Sequence, residues 1–222
     1  MTVFAVRDGI MFTGLVQATG RVLSASPAGG GKRLEVDLSR LDRAPAAGAS
    51  VAVDGACLTV AALRGAGAVF DVSAETASRT TLGRAAPGQT VNLEPSLRLG
   101  DEVGGHFVPG HVDAICQLVS RRGAGGGAIL RFSLPDAVAR LVAFKGSVAV
   151  AGVSLTVSGL GPGWFEAAAI PETLARTTLG AAAPGGAFNL EADVLARYAA
   201  RWLESAPEAP GLTPGRLAEL GF

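Results

Sequence analysis

Two stretches of this chain are copies of one another. SVAVDGACLTV starts at Ser50 and SVAVAGVSLTV at Ser147, a displacement of 97 residues. The same displacement carries ETASRTTLG, from Glu75, onto ETLARTTLG, from Glu172, and Asn92-Leu93-Glu94 onto Asn189-Leu190-Glu191. About half of the positions from Ser50 to Glu94 are identical to their partners without a gap. Near the start of each half, Phe12-Thr13-Gly14-Leu15-Val16 resembles Phe107-Val108-Pro109-Gly110-His111-Val112 after a one-residue adjustment. Solenoid units run to a few tens of residues, so this period is too long for one. It means two copies of one domain, which a chain of 222 residues can accommodate.

Within a copy the periodicity is that of β-structure. Arg33-Leu34-Glu35-Val36-Asp37-Leu38 alternates polar and apolar, as a half-buried strand must. Val51, Val53, Leu58, Val60 and Leu63 continue the pattern, and Asp54-Gly55 supplies a hairpin turn. Val148, Val150, Leu155 and Val157 repeat it in the second copy. Many short strands punctuated by 31 glycines predict a small closed barrel in each half. A short helix is expected before each central hairpin, the better case being Pro135 to Val142. From Asp193, apolar Val194, Leu195, Tyr198 and Trp202 follow helical spacing. That helix either docks on its own barrel or packs against copies of itself.

Composition removes several classes of function. Nineteen basic and nineteen acidic residues leave no net charge, so there is no field to attract a phosphate backbone, and nucleic acid is not an expected partner. The longest uncharged run, Gly146 to Phe165, is broken by glycines and by polar residues at strand-like spacing, so a barrel wall explains it better than a membrane helix. Met1 to Ile10 contain Arg7 and Asp8 and lack a signal-peptide core. Cys57 and Cys116 stand far apart with no CxxC, which suggests neither a disulfide framework nor a zinc knuckle. These features predict a soluble, cytoplasmic protein.

P-loop, GxGxxG, GxSxG and HExxH motifs are all missing. Polar chemistry gathers instead at the repeat junction, GGHFVPGHVD from Gly104, which holds both histidines of the chain. Their five-residue separation puts them on opposite faces of an extended strand and argues against joint metal ligation. Cys57 aligns with Ser154 between matched Leu58-Thr59-Val60 and Leu155-Thr156-Val157, which suggests related pockets with different tasks. Thr76 and Thr173 match, as do Arg79 and Arg176; turn and strand-cap chemistry accounts for the arginines.

MFTGLV from Met11, GACLTV from Gly55, GGHFVPGHVD from Gly104, GVSLTV from Gly152 and IPETLARTTLG from Ile170 together resemble the riboflavin synthase family of the alpha-chain type. The likeness runs in order from Met11 to about Leu203. It implies an all-β fold of two tandem six-stranded Greek-key β-barrels related by internal duplication, plus a C-terminal α-helix that assembles a trimer. The expected divisions are an extension 1–10, barrels 11–106 and 107–192, a helix 193–206 and a tail 207–222. The resemblance also implies dismutation of two 6,7-dimethyl-8-ribityllumazine molecules by transfer of a four-carbon unit, giving riboflavin and 5-amino-6-(D-ribitylamino)uracil. No cofactor and no metal is implied, and association with lumazine synthase is a further partner that the resemblance allows.

Family positions map Gly14, Leu15, Val16, Cys57, Leu58, Thr59, Asp71, Val72, Ser73, Ala74, Glu75, Thr76, Gly110, His111 and Val112 onto the N-terminal pocket. Lys145, Ser154, Leu155, Thr156, Ile170, Pro171, Glu172, Thr173, Leu174 and Ala175 map onto its counterpart. Ser50, Cys57, His111, Thr156 and Asp193 match the positions associated with nucleophile and base, without a division of labour among them. His111 is the natural proton carrier near neutral pH, and Asp193 also suits a helix N-cap. Family chains begin at the MFTG motif, so either translation starts at Met11 or residues 1–10 fold away from the pocket. The rival reading is a non-catalytic lumazine- or flavin-binding antenna or carrier protein; retention of Cys57, His111, Lys145, Ser154 and Thr156 favours the enzyme. A flavin oxidoreductase barrel would carry an Arg-x-Tyr-Ser stretch, whereas Tyr198, the one tyrosine, lies in the terminal helix.

Overall fold

The computed structural model describes residues 11–205 and residue 221. The expected extension 1–10 lies outside the described residues, as does the tail except for Gly221. The first half consists of β1 (Ala18–Ala28), β2 (Gly31–Asp37), β3 (Ser50–Val53), β4 (Ala56–Arg64), β5 (Gly67–Val72), α1 (Ala74–Arg79) and β6 (Thr90–Pro95). Its six strands close an antiparallel barrel in the order β1-β2-β5-β4-β3-β6. Consecutive hairpins join β3, β4 and β5, and β2 returns beside β5, which is a Greek key. The second half repeats this with β7 (Ala114–Ala124), β8 (Gly127–Ser133), α2 (Asp136–Ala139), β9 (Ser147–Val150), β10 (Val153–Gly161), β11 (Trp164–Ala169), α3 (Pro171–Arg176) and β12 (Ala187–Ala192). It closes as β7-β8-β11-β10-β9-β12.

The alternation read from the sequence sets which side chains fill each barrel. Leu34, Val36, Val51, Val53, Phe70 and Leu93 pack inside the first, and Leu118, Leu130, Phe132, Val148, Phe165 and Leu190 inside the second. Register shifts at Val22/Ser24 and Val60/Ala62 recur at Leu118/Ser120 and Val157/Gly159. Such bulges bend strands enough to close a small barrel. The Asp54-Gly55 turn has both residues at positive φ (46° and 80°), the type I′ geometry that matches strand twist.

Three local expectations change. The helix expected over Pro135 to Val142 covers only Asp136–Ala139, because the chain leaves it through tight turns in which Leu141 N–H bonds Val138 C=O. At the corresponding place the first half has turns and no helix. The segments that hold the matched threonines and arginines, the arginines read as turn and strand-cap chemistry, form α1 and α3, each six residues long and followed by a single 3-10 turn. Ser73 caps α1 by accepting from Thr76 N–H at 3.1 Å, and Pro171 opens α3.

The halves exchange their leading segments. Phe12 and Val108 form an antiparallel bridge at the seam, buried with Ala52 and Ala149. Gly14 C=O then accepts from Ser154 N–H at 2.8 Å, and Val16 packs on the second core. Reciprocally, Gly110 C=O accepts from Cys57 N–H at 3.0 Å, and Val112 packs on the first core. Two buried asparagines repeat the exchange. Asn92 donates to Ala151 C=O at 2.9 Å and accepts from Thr178 N–H at 2.7 Å; Asn189 donates to Asp54 C=O at 2.8 Å and accepts from Thr81 N–H at 2.8 Å.

The terminal helix α4 (Val194–Ser205) is tied down by Arg197, which grips Asp113 with two bonds of 2.8 and 3.1 Å, and by the Arg140–Glu204 pair. Its apolar face is not docked on its own barrel. Tyr198 and Trp202 are each 71% exposed, and Leu195 and Leu203 are exposed beside them.

Candidate active site

The reciprocal exchange builds two half-sites, each from a hairpin of one barrel and a loop from the other half. In the first, β4 presents Cys57 against the segment Gly110 to Val112, and the capped start of α1 closes the opposite wall. A cavity of about 240 Å³ lies there, lined by Cys57, Ser73, Glu75, Thr76, Gly110, His111 and Val112, together with Ala56, Arg79 and Thr80. Gly110 has φ 80°, and a β-carbon on it would come 2.6 Å from that of Cys57, so only glycine lets the loop approach so closely. Gly14 meets Ser154 in the same manner, with φ 75° and the same 2.6 Å approach.

Charge and burial distinguish the groups. Burial pushes the Cys57 thiol up; a hydrogen bond from Ser50 opposes this and the charge of Glu191 adds to it. Cys57 is therefore a neutral thiol at neutral pH. Thr59 is exposed on β4, opposite Ser50 on β3. Asp71 is engaged elsewhere, in a two-bond pair with Arg33 that lowers its pKa. Leu58 and Val72 point into the first core and Leu155 into the second, so these three offer a ligand only backbone. Ala74 lies exposed at the start of α1.

In the second half-site Ser154 takes the place of Cys57. Its hydroxyl lies 2.8 Å from His106 Nδ1, and burial lowers the His106 pKa while the charge of Asp193 opposes the shift. A neutral His106 can exchange a proton with that hydroxyl. The sequence-derived set omitted His106, although GGHFVPGHVD displays it. The junction loop carries His106 to Ser154 and His111 to the Cys57 pocket. Asp193 Oδ1 also accepts from Leu195 N–H at 3.0 Å, at the start of α4. Among the described residues no cluster of metal-ligating side chains occurs.

Gly14 to Val16 do not join Cys57 in the first pocket; the exchange seats them against Ser154. Leu15 and Val16 line a cleft of about 490 Å³ with Thr13, Glu94 and Arg176. A neighbouring hollow of about 260 Å³ includes Ala175 and Arg176. Ile170 is exposed before Pro171, Glu172 pairs with Arg176, Thr173 C=O accepts the Thr177 hydroxyl, and Leu174 packs on the core. Lys145 is exposed at φ 66°, and its N–H bonds Val157 C=O beside the exposed Thr156. The first half has Gly48 there, at φ 85°. A lysine held in left-handed backbone costs on the order of 1 kcal/mol, a strain that the glycine of the first half avoids.

This is the architecture of a duplicated barrel with one candidate half-site per copy, and known proteins give it a class. The lumazine binding domain family matches residues 13–96 and again 109–193. Riboflavin synthase of Mycobacterium tuberculosis (strain ATCC 25618 / H37Rv) is 44% identical over 200 residues, covering 88% of this chain and all of that one. The Brucella abortus and Bacillus subtilis riboflavin synthases are 41% and 32% identical, over 86% and 96% of this chain and 97% and 100% of theirs. Crystal structures of LumP with 6,7-dimethyl-8-(1'-D-ribityl)lumazine and with riboflavin share the fold, at TM-scores of 0.70 and 0.72 and 19% and 21% identity, each covering 82% of this chain and 98% of that one. The chain belongs to the riboflavin synthase family, whose members are transferases.

Proposed function

We propose that this chain catalyses the dismutation of two 6,7-dimethyl-8-ribityllumazine molecules. A four-carbon unit passes from one to the other, and riboflavin and 5-amino-6-(D-ribitylamino)uracil are released. The observation that carries this reading is the pair of quasi-equivalent half-sites, alike in backbone and unlike at the reactive position, Cys57 in one and Ser154 in the other. Two identical substrates with different roles call for such a pair. Holding both rings in contact converts a bimolecular step into an effectively unimolecular one, which is worth roughly 7–11 kcal/mol of barrier.

The reaction asks for addition of a nucleophile to one ring and loss of a proton from the 7-methyl of the other. Cys57, Ser50 and Thr156 are the candidate groups for addition; His111 and Asp193, joined by His106, are the proton carriers. Backbone amides around Gly14 and Gly110 and the hydroxyls of Thr76 and Thr173 bind the pyrimidinedione edge, and Lys145 supplies a cation to the second half-site. The uncovered face of α4 assembles a homotrimer in the cytoplasm, and neighbouring subunits bring an N-terminal pocket against a C-terminal one. The test is to mix purified protein with the lumazine in cofactor-free buffer and follow riboflavin absorbance. Product formation with one riboflavin per two lumazines consumed is expected. Binding without product would make the protein a carrier.

A further inference from the structure

Glu94 and Glu191 occupy matching positions on β6 and β12, yet their surroundings differ. Glu94 is fully partnered: Oε1 accepts from the N–H and hydroxyl of Thr13 at 2.7 and 2.8 Å, and Oε2 from Gly14 N–H at 3.0 Å. Glu191 is 2% exposed, and its Oε1 accepts from His111 N–H at 2.9 Å. Its Oε2 is buried and meets no hydrogen-bond partner among the described residues.

One residue accounts for the difference. The Phe12–Val108 bridge and the Gly14/Gly110 match place Pro109 where the first segment has Thr13. Proline has no N–H and no hydroxyl, so the two donors that Thr13 offers Glu94 have no counterpart at Glu191. A buried carboxylate oxygen without a donor is costly as an anion, and a proton on that carboxyl relieves the cost. The groups facing Glu191 are Cys57 on β4, His111 and Asp113 on the incoming segment, and Arg197 on α4. Burial dominates there, pushing Glu191 up to about 7; the His111 N–H opposes it, Asp113 adds to it, Arg197 counteracts, and the Gly110 N–H opposes it least.

We propose that Glu191 is a positioning residue of the first half-site, that the donors missing at Pro109 favour its protonated form, and that in this form it keeps the His111 segment in place while sparing Cys57 a neighbouring negative charge. The proposal rests on reading the Cys57–His111 pocket as a half-site, and it explains how one of two sister pockets is made chemically distinct.

Cys57 itself is the reporter, because a charge on Glu191 raises its pKa. The full-length protein is alkylated with iodoacetamide from pH 6 to 9, and the Cys57 peptide is quantified separately from the wholly buried Cys116. Glu191→Gln keeps an acceptor for His111 N–H and is neutral at every pH. At pH 6 its Cys57 rate is expected to equal that of wild type, and above pH 8 to exceed it severalfold. Pro109→Thr restores both donors, so Glu191 ionises earlier and the suppression of Cys57 extends down to pH 6. Rates of Glu191→Gln that match wild type at all pH values, or differ by one constant factor, overturn the proposal; so does a Pro109→Thr profile that overlays wild type. No lumazine and no turnover enter the measurement, so its outcome is separate from that of the riboflavin assay.

Discussion

Asp54→Asn is the substitution whose effect follows most directly from the structure. Asp54 turns the first central hairpin at φ 46° and is buried at the seam between the barrels, where Oδ1 accepts from Asn92 N–H at 2.8 Å. Among the described residues no cation compensates, and burial raises its pKa from 3.8 to about 7, with the Asn92 N–H opposing the rise. The folded value lies above the unfolded one, so the stability tied to this proton is fully present below about pH 4 and is lost as pH rises through 7. At about 1.36 kcal/mol per unit, the cost to the native state grows by roughly 3 kcal/mol between pH 5 and pH 8. Asparagine keeps the acceptor and tolerates left-handed backbone, so the substitution removes the charge and little else. Urea unfolding followed by tryptophan fluorescence at pH 5, 6, 7 and 8 should show the variant gaining on wild type by about that amount. Glu191 titrates in the same direction, but it is common to both proteins and cancels. A free-energy difference that stays flat from pH 5 to 8 would mean that Asp54 is already charged when folded, and the argument from burial would fail.

Asn92→Ala strips partners from the buried Ala151 C=O and Thr178 N–H across the seam, at about 1–3 kcal/mol for each group. A loss of about 2–4 kcal/mol in denaturant unfolding is expected, and less than 1 kcal/mol would show that water repairs the gap. Lys145→Gly releases the left-handed strain at φ 66° and should raise stability by about 1 kcal/mol while lowering kcat/KM for the lumazine roughly tenfold, as loss of a charged hydrogen bond does. Stability and activity falling together would assign Lys145 a structural role. Replacing Tyr198 and Trp202 by serine removes the exposed aromatic face of α4 and should shift sedimentation from trimer to monomer with loss of turnover; an unchanged sedimentation profile would place the interface elsewhere.

The fold was legible because duplication and strand alternation are both local properties of the sequence. A repeat announces itself by identity, and Leu34 and Val36 face inward because a strand has period two. The type I′ turn at Asp54-Gly55 was readable for the same reason. The short helices α1 and α3 were not: six residues give too little periodicity, and the residues that open them, the Ser73 cap and Pro171 in the first turn, also fit a turn. The exchange of leading segments was invisible in principle. Gly14 and Gly110 lie in nearly identical motifs, and nothing along the chain says which barrel each will touch. The resemblance therefore grouped Gly14 to Val16 with Cys57, whereas the hydrogen bond to Ser154 seats them in the other half-site. His106 was passed over because its partner, Ser154, is distant in sequence and becomes informative only once the chain is folded.

Duplication alone yields two equal sites, whereas a dismutation needs two unequal ones. The backbone of the half-sites has stayed equal: the Gly110–Cys57 and Gly14–Ser154 bonds, the Asn92 and Asn189 exchanges and the six-residue helices α1 and α3 all recur. The side chains have diverged at a handful of positions around the pockets. Cys57 faces Ser154, Gly48 faces Lys145, Ser73 faces Ile170, Leu15 faces His111 and Thr13 faces Pro109. Each pair replaces a group that can donate, accept or carry charge with one that cannot, or with one of different acidity. The cores have diverged as well, Phe70 standing where the second barrel has Ala167 and Ala68 where it has Phe165, but there apolar replaces apolar; the differences where the loops cross change the chemical environment of each pocket. A variant that makes one half-site resemble the other, Cys57→Ser or Pro109→Thr, should for that reason fold as wild type does and lose turnover, with lumazine binding largely kept.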